Sequence, residues 1–247
     1  MSTFLWVIVP YLCLATFVVG HIWRYRYDKF GWTTRSSQLY EDRLLRLGSP
    51  LFHFGMMGVV GGHVIGLLVP KSWTDGLGIS DHTYHLAAVI GGLAAGAAAM
   101  IGMFILIYRR RTVGPVFSAT TPMDKVMYVF LGLVILLGMW NTILGATGVE
   151  EYNYRTGVSE WYRSFLAFQP MPEKMAGGPG IPVAPIGFKL HALVAFGLFA
   201  LWPFTRLVHV FSAPVGYLTR PYIVYRSRDD SAYGSTAGRR GWDKVGS

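Results

Sequence analysis

The sequence predicts an all-α integral membrane bundle of five transmembrane helices. Hydrophobic residues make up 52% of the 247 and charged residues only 14%, where a soluble domain carries about 25% charged. The apolar residues also gather into five runs, each long enough to cross a bilayer at about 20 residues. Runs II to IV lack the polar faces at helical spacing that a soluble helical core requires.

Span I covers about residues 3–23. It lacks a basic leading segment and a small-residue cleavage site ahead of the aromatic, basic stretch that begins at His21, so it reads as a retained span rather than a signal peptide. It contains Cys13, the single cysteine, which excludes an intrachain disulfide and a cysteine-ligated cluster or zinc site. Span II, about residues 50–70, is rich in glycine and carries His53 and His63. Span III, about residues 84–108, is crowded with alanine, and its Gly92 and Gly96 predict a close helix–helix contact. Span IV covers about residues 125–147. The connection that follows has an aromatic, acidic first half (residues 150–168) that predicts a short helix lying on the outer surface. Its second half, rich in glycine and proline, predicts an irregular loop. Span V, about residues 185–211, carries His191 and His209, with Pro203 as a candidate kink. Its Lys189 and Arg206 lie near the two ends, where long side chains reach the interface. Residues 1–228 form the predicted membrane domain, and residues 229–247 a disordered cytoplasmic tail.

Orientation follows from the loops. Arg24, Arg26, Lys29, Arg35, Arg43 and Arg46 lie between spans I and II. Arg109, Arg110 and Arg111 open the connection between III and IV, and the tail holds six more basic residues. The connection between II and III has only Lys71. The N-terminus is therefore expected outside and the C-terminus in the cytoplasm, in a plasma (inner) membrane protein. The net charge of +9 is then a topological signal toward membrane lipid and a cytoplasmic partner, with no need of nucleic acid.

Four of the seven histidines fall inside spans, two on II and two on V. Polar side chains at membrane depth need partners, and neutral imidazole is the ligand that a low-spin b-type haem takes on both axial sides. Depth sorts them. At 1.5 Å per residue, His53 and His209 both lie within about 5 Å of the cytoplasmic edge. His63 lies about 20 Å from that edge, and His191 about 30 Å along its axis. Tilt or a kink at Pro203 would bring these two level. Pairing His53 with His191 instead leaves a mismatch of about 25 Å. On a straight span V the two histidines share one face, five turns apart, whereas those on span II stand about 80° apart. The expectation is two b-type haems stacked across the bilayer, passing electrons from a membrane-soluble donor, most simply quinol, to a partner on the cytoplasmic side.

The local sequences around these residues resemble the gamma subunit (cytochrome b subunit) of respiratory nitrate reductase, over about residues 4–228. The resemblance rests on Trp23-Arg24-Tyr25, Arg35-Ser36-Ser37-Gln38, Leu51-Phe52-His53-x-Gly55, Gly62-His63, Ala119-Thr120-Thr121 and Leu190-His191. Pro203-Phe204-x-Arg206-Leu207-Val208-His209 and Ser212-x-Pro214-Val215-x-Tyr217-Leu218-Thr219-Arg220 complete it. It implies an outer haem held by His63 and His191, an inner haem held by His53 and His209, and quinol oxidation near Gly62 and His63. It also implies an iron–sulfur (beta) subunit and a molybdenum-containing (alpha) catalytic subunit on the cytoplasmic face. Some members of that family have a lysine near the outer start of helix III that is linked to quinol binding. Here that stretch reads Asp81-His82-Thr83-Tyr84-His85, so His82 and His85 become candidate quinol contacts, and Arg206 and Lys189 candidate partners of haem propionates or ordinary interfacial side chains. The alternative within redox proteins is the cytochrome b subunit of another cytoplasm-facing reductase, acting on sulfur compounds or heterodisulfides. A proton-coupled transporter would need acids within the spans, and spans II to V have only Asp124 at an edge.

Overall fold

The structure, a computed structural model, describes residues 1–32, 37–148, 152–212 and Thr219. Residues 1–212 form one compact unit and residues 213–247 a second. The tail expected to be disordered, and the Ser212–Arg220 stretch apart from its first residue and Thr219, lie outside the described residues.

Nine α-helices follow in order: α1 Val9–Tyr27, α2 Arg43–His63, α3 Lys71–Gly76, α4 Asp81–Thr112, α5 Gly114–Ser118, α6 Pro122–Thr147, α7 Val158–Leu166, α8 Glu173–Ala176 and α9 Ile186–Leu201, all among the described residues. No strand occurs among those residues. Five stretches are long and apolar enough to cross a membrane: Phe4–Tyr27, Arg43–Leu68, Asp81–Thr112, Pro122–Thr147 and Ile186–Phe204. Only 11–22% of the most apolar window in each is buried inside the protein, so most of that apolar surface requires lipid, as expected of a multi-pass membrane protein.

Three spans start earlier than their apolar stretches suggest. Helix α2 begins at Arg43 rather than near Pro50, because the Glu41 side chain accepts the Leu44 amide proton at 2.6 Å and stabilises a polar first turn. Helix α4 begins at Asp81, with Ser80 accepting from the Thr83 amide as its N-cap. Helix α6 opens on a capping box, in which Thr121 and Asp124 bond each other's backbone amides, with Pro122 in the first turn. These are ordinary helix-start devices, and each lies in polar sequence that an apolar-run criterion passes over.

Helix α2 packs on α4, α4 on α6, α6 on α9, and α9 on α1. The α2–α4 contact is close because of its glycines. A Cβ at Gly48 would lie 2.8 Å from the Ile105 side chain, and one at Gly102 would lie 2.9 Å from the Gly48 carbonyl. Gly92 and Gly96, the pair singled out in the sequence, do face a neighbouring helix: they abut Thr142 and Met139 of α6.

Two expectations are corrected. The short helix expected after span IV is present as α7, but it is packed into the bundle rather than laid over it. Trp161 and Phe165 are each 1% exposed and join Trp6, Phe196 and Met175 in the larger hydrophobic cluster. Trp161 Nε1 donates to the Trp6 carbonyl, and Tyr11 donates to the Phe165 carbonyl. Span V, moreover, is not one helix. Helix α9 ends at Leu201, a 3-10 turn covers Trp202–Phe204, Thr205 is extended, and a second 3-10 stretch covers Arg206–Ser212. Pro203 has no N–H to continue the ladder and its ring crowds the preceding turn. The carbonyls left free there are taken by Arg24 of α1, which donates to Pro203 O at 2.5 Å and Thr205 O at 3.2 Å. Gly20, one turn earlier, lets Pro203 approach α1, since a Cβ there would sit 2.8 Å from its ring.

Candidate functional site

The histidines meet in two pairs across the space between α2 and the last span. The His63 and His191 rings lie 5.8 Å apart, centre to centre, with planes inclined by 24°. The His53 and His209 rings lie 6.1 Å apart at 73°. Bonds of about 2.0–2.1 Å from one metal ion to imidazole nitrogens on opposite sides put the ring centres about 6 Å apart. Each pair is thus spaced to hold one metal ion from two sides. No group of three or more His, Cys, Asp or Glu suited to a metal ion occurs among the described residues, so any metal held here takes its remaining bonds from something other than such side chains.

The second ring nitrogen of each histidine is already committed. Nδ1 of His53 contacts Ser49 O at 2.7 Å, His63 Val59 O at 2.8 Å, His191 Val134 O at 3.1 Å and His209 Arg206 O at 2.6 Å. A carbonyl only accepts, so Nδ1 carries the proton and Nε2 of the neutral ring keeps its lone pair. For a metal-ligating histidine this arrangement fixes both tautomer and ring orientation. His85 is the contrast: its Nε2 bonds the Gly145 carbonyl at 3.2 Å, which ties it to the end of α6. His82 is exposed on the first turn of α4.

Room around the rings comes from glycine. No heavy atom lies within 4 Å of a Cβ built on Gly61 or Gly62, beside His63. On α6, a Cβ at Gly138 would lie 3.1 Å from the His191 ring, so a larger residue there would crowd that imidazole. Gly138 was not singled out in the sequence, because a glycine in an apolar run reads as packing until its neighbour is known.

Beyond His63 the last turn of span II widens into a π-helical turn, Val64–Leu68. Its carbonyls are met by α7: Ser159 donates to Gly66 O at 2.8 Å and Arg163 to Leu67 O at 3.0 Å. Over Gly66 lie the hydroxyls of Tyr84 and Tyr154, 3.7 and 3.4 Å from a Cβ built there. Burial, together with the neighbouring Tyr84, pushes the Tyr154 phenol up, so it stays a protonated hydrogen-bond donor. Arg155, 4% exposed, stacks its guanidinium 3.8 Å above the Tyr84 ring and donates to Thr74 Oγ1 at 2.5 Å. Its Nη1 stands 3.6 Å from Asp81, which also pairs with Lys71. This polar cluster gathers residues of α3, the start of α4 and the connection before α7, which no single periodicity brings together.

At the other end, Arg206 is not free for a propionate. It forms a two-pronged ion pair with Asp124, Nε to Oδ1 at 2.7 Å and Nη2 to Oδ2 at 2.6 Å. Lys189 is half-buried within α9. Arg109, at the end of α4 and 2% exposed, holds Ser37 and Glu41 through four hydrogen bonds. Burial would raise the Glu41 pKa, but the bond from the Leu44 amide and the Arg109 guanidinium outweigh it and hold the carboxyl below its ordinary range.

Five membrane-spanning helices and two facing histidine pairs define the class as a multi-pass membrane bundle with two candidate metal-holding sites. A family model for the nitrate reductase gamma subunit matches residues 2–228. The chain is 45% identical over 224 residues to the nitrate reductase gamma chain of Bacillus subtilis strain 168, covering 91% of this chain and 97% of that one. It is 33% identical over 228 residues to the respiratory nitrate reductase 2 gamma chain of Escherichia coli K12, covering 92% and 98%. Over 243 residues it is 54% identical to the nitrate reductase-like protein NarX of Mycobacterium tuberculosis, covering 98% of this chain but only 36% of that protein. The chain therefore spans about a third of the mycobacterial relatives it matches. It belongs to the nitrate reductase gamma subunit family.

Proposed function

We propose that this chain is the quinol-oxidising, di-haem cytochrome b subunit of a respiratory nitrate reductase. The observation that carries the reading is the pairing itself: two facing imidazole couples, all four with Nδ1 committed to a backbone carbonyl. The four histidines fit the group chemically, since they offer neutral Nε2 lone pairs from two sides and no competing thiolate or carboxylate. His63 and His191 would hold the outer haem, and His53 and His209 the inner one. Each haem, when bound, supplies a one-electron relay.

The residues of the chain then divide the work. Gly61 and Gly62 leave the space beside His63 where a quinol headgroup reaches the outer pair. Tyr84 and Tyr154 offer hydroxyls at the same level, and His82 and His85 are the candidates to take the quinol protons. Electrons travel from the His63–His191 pair to the His53–His209 pair, about 15 Å further along α2 at 1.5 Å per residue. The arginine-rich end faces the cytoplasm by the bias of basic residues. There the chain anchors an iron–sulfur subunit, which passes the electrons to a molybdenum-containing subunit where nitrate is reduced.

A reduced-minus-oxidised spectrum of purified protein tests the assignment. One haem is expected to vanish in both His53→Ala and His209→Ala, and the other in both His63→Ala and His191→Ala. A wild-type protein without b-type haem would sink the reading. Quinol-driven reduction blocked by quinol analogues is the second arm.

A further inference from the structure

We propose that the Asp124–Arg206 ion pair is the positioning element of the inner ligand His209, tying a ligand that no α-helix carries to the frame of α6. The inference rests on the haem reading above. His191 sits on regular α9, so its place is inherited from the helix. His209 has no such support. The backbone ladder of α9 stops at Leu201, and Thr205 is extended at φ −111 and ψ 177. Three local bonds cross this break: the Thr205 amide and Thr205 Oγ1 both donate to Trp202 O, and the Leu207 amide donates to Thr205 Oγ1. The segment that follows is 3-10, whose hydrogen-bond geometry is poorer than that of an α-helix.

Beyond the Arg24 clamp on the Thr205 carbonyl, what fixes residue 206 is its side chain. The guanidinium grips Asp124 with two parallel charge-assisted bonds, the geometry that gives an arginine–carboxylate pair its directionality. Asp124 is 4% exposed, and the Thr121 capping box locks it in place. The backbone of the same arginine accepts the His209 Nδ1 proton at 2.6 Å. A continuous path therefore runs from the first turn of α6, through Asp124 and the Arg206 side chain, to the imidazole. The outer ligand reaches the same helix more directly, through Val134 O, so α6 is the common reference for both ligands of the last span. A strong Nδ1–H bond raises ligand basicity and favours the oxidised metal. Loosening residue 206 lengthens that bond, so the inner haem should become easier to reduce.

The test uses the full chain in its membranes, with redox titration followed optically and by low-spin electron paramagnetic resonance. In Asp124→Asn the inner-haem midpoint is expected to rise and its resonance to shift, with the outer haem unmoved. Asp124→Glu and Arg206→Lys, which keep the charges but not the fork, should give smaller shifts of the same sign. They also serve as the readout if Asp124→Asn fails to accumulate. An unchanged inner haem in these variants overturns the proposal, and so does an equal change in both haems, which would mark a general folding role. A wild type with no b-type haem would instead remove the haem reading on which the proposal rests.

Discussion

At the scale of single residues, the glycines of α2 separate packing from function. Gly102 of α4 meets backbone: a Cβ there would lie 2.7 Å from Phe52 Cα and 2.9 Å from Gly48 O. A methyl group therefore forces α2 and α4 apart, and Gly102→Ala should destabilise the protein by about 1–3 kcal/mol, the ordinary cost of overpacking. Gly62 meets no heavy atom within 4 Å, so Gly62→Ala should leave thermal stability in detergent unchanged. If the quinol lies beside His63, the same methyl narrows its approach and slows quinol-driven haem reduction. Stability lost in Gly62→Ala, or kept in Gly102→Ala, would contradict this division. Apart from the resemblance that points to Gly62, the sequence reads both as small residues in an apolar helix, because what a glycine makes room for is decided by the partner element.

At the scale of elements, the broken last span is where sequence and structure part most clearly. Apolar length located all five spans, and depth matched the histidines that now face each other. The same reasoning treated residues 185–211 as one helix with a kink, placing His191 and His209 on one face. Pro203 announces an interruption, but what form it takes depends on Arg24 of α1, nearly 180 residues away, accepting the role of partner to the freed carbonyls. Helix α7 is legible in the sequence as a short helix, but its burial is not. Its polar residues suggest a surface, yet Ser159 and Arg163 face the π-turn at the end of span II, and its aromatic side fills the core. Arg24→Ala removes the donor to the Pro203, Thr205 and Gly31 carbonyls. At about 1–3 kcal/mol for each buried group left unpaired, the loss should exceed about 2 kcal/mol in thermal or denaturant unfolding. The damage should appear first at the inner pair, since Thr205 lies between the clamp and His209. An Arg24→Ala protein that loses outer haem before inner haem would contradict this account.

At the scale of the whole molecule, the distribution of contacts says what holds the bundle closed. Neighbours run from α2 through α4, α6 and α9 to α1, and the histidine pairs face each other between α2 and the last span, His191 on α9 and His209 on the 3-10 segment beyond it. The larger buried cluster gathers around α7 at one end, and a smaller one of Met103, Leu131, Ile135 and Leu198 lies between α4, α6 and α9. The smaller cluster also takes in Phe52 and Met56 of α2 and Leu207 of the last span, so apolar packing joins these elements by way of α4 and α6. Under the di-haem reading, two irons cross-link these elements directly, His53 to His209 and His63 to His191. Binding that favours only the folded state adds stability as RT ln(1 + [L]/Kd), about 4 kcal/mol at a thousandfold excess over Kd. Protein made under haem starvation should therefore unfold at a lower temperature than the loaded form, and adding haem should restore it. The loss should be uneven. The α7 end keeps Trp161 and Phe165 buried without help from a cofactor, so amide exchange should rise most around residues 202–212 and least in α7. Equal exchange along the chain, or unchanged melting in haem-free protein, would mean that the bundle closes by side-chain packing alone and that the histidine pairs add nothing to its stability.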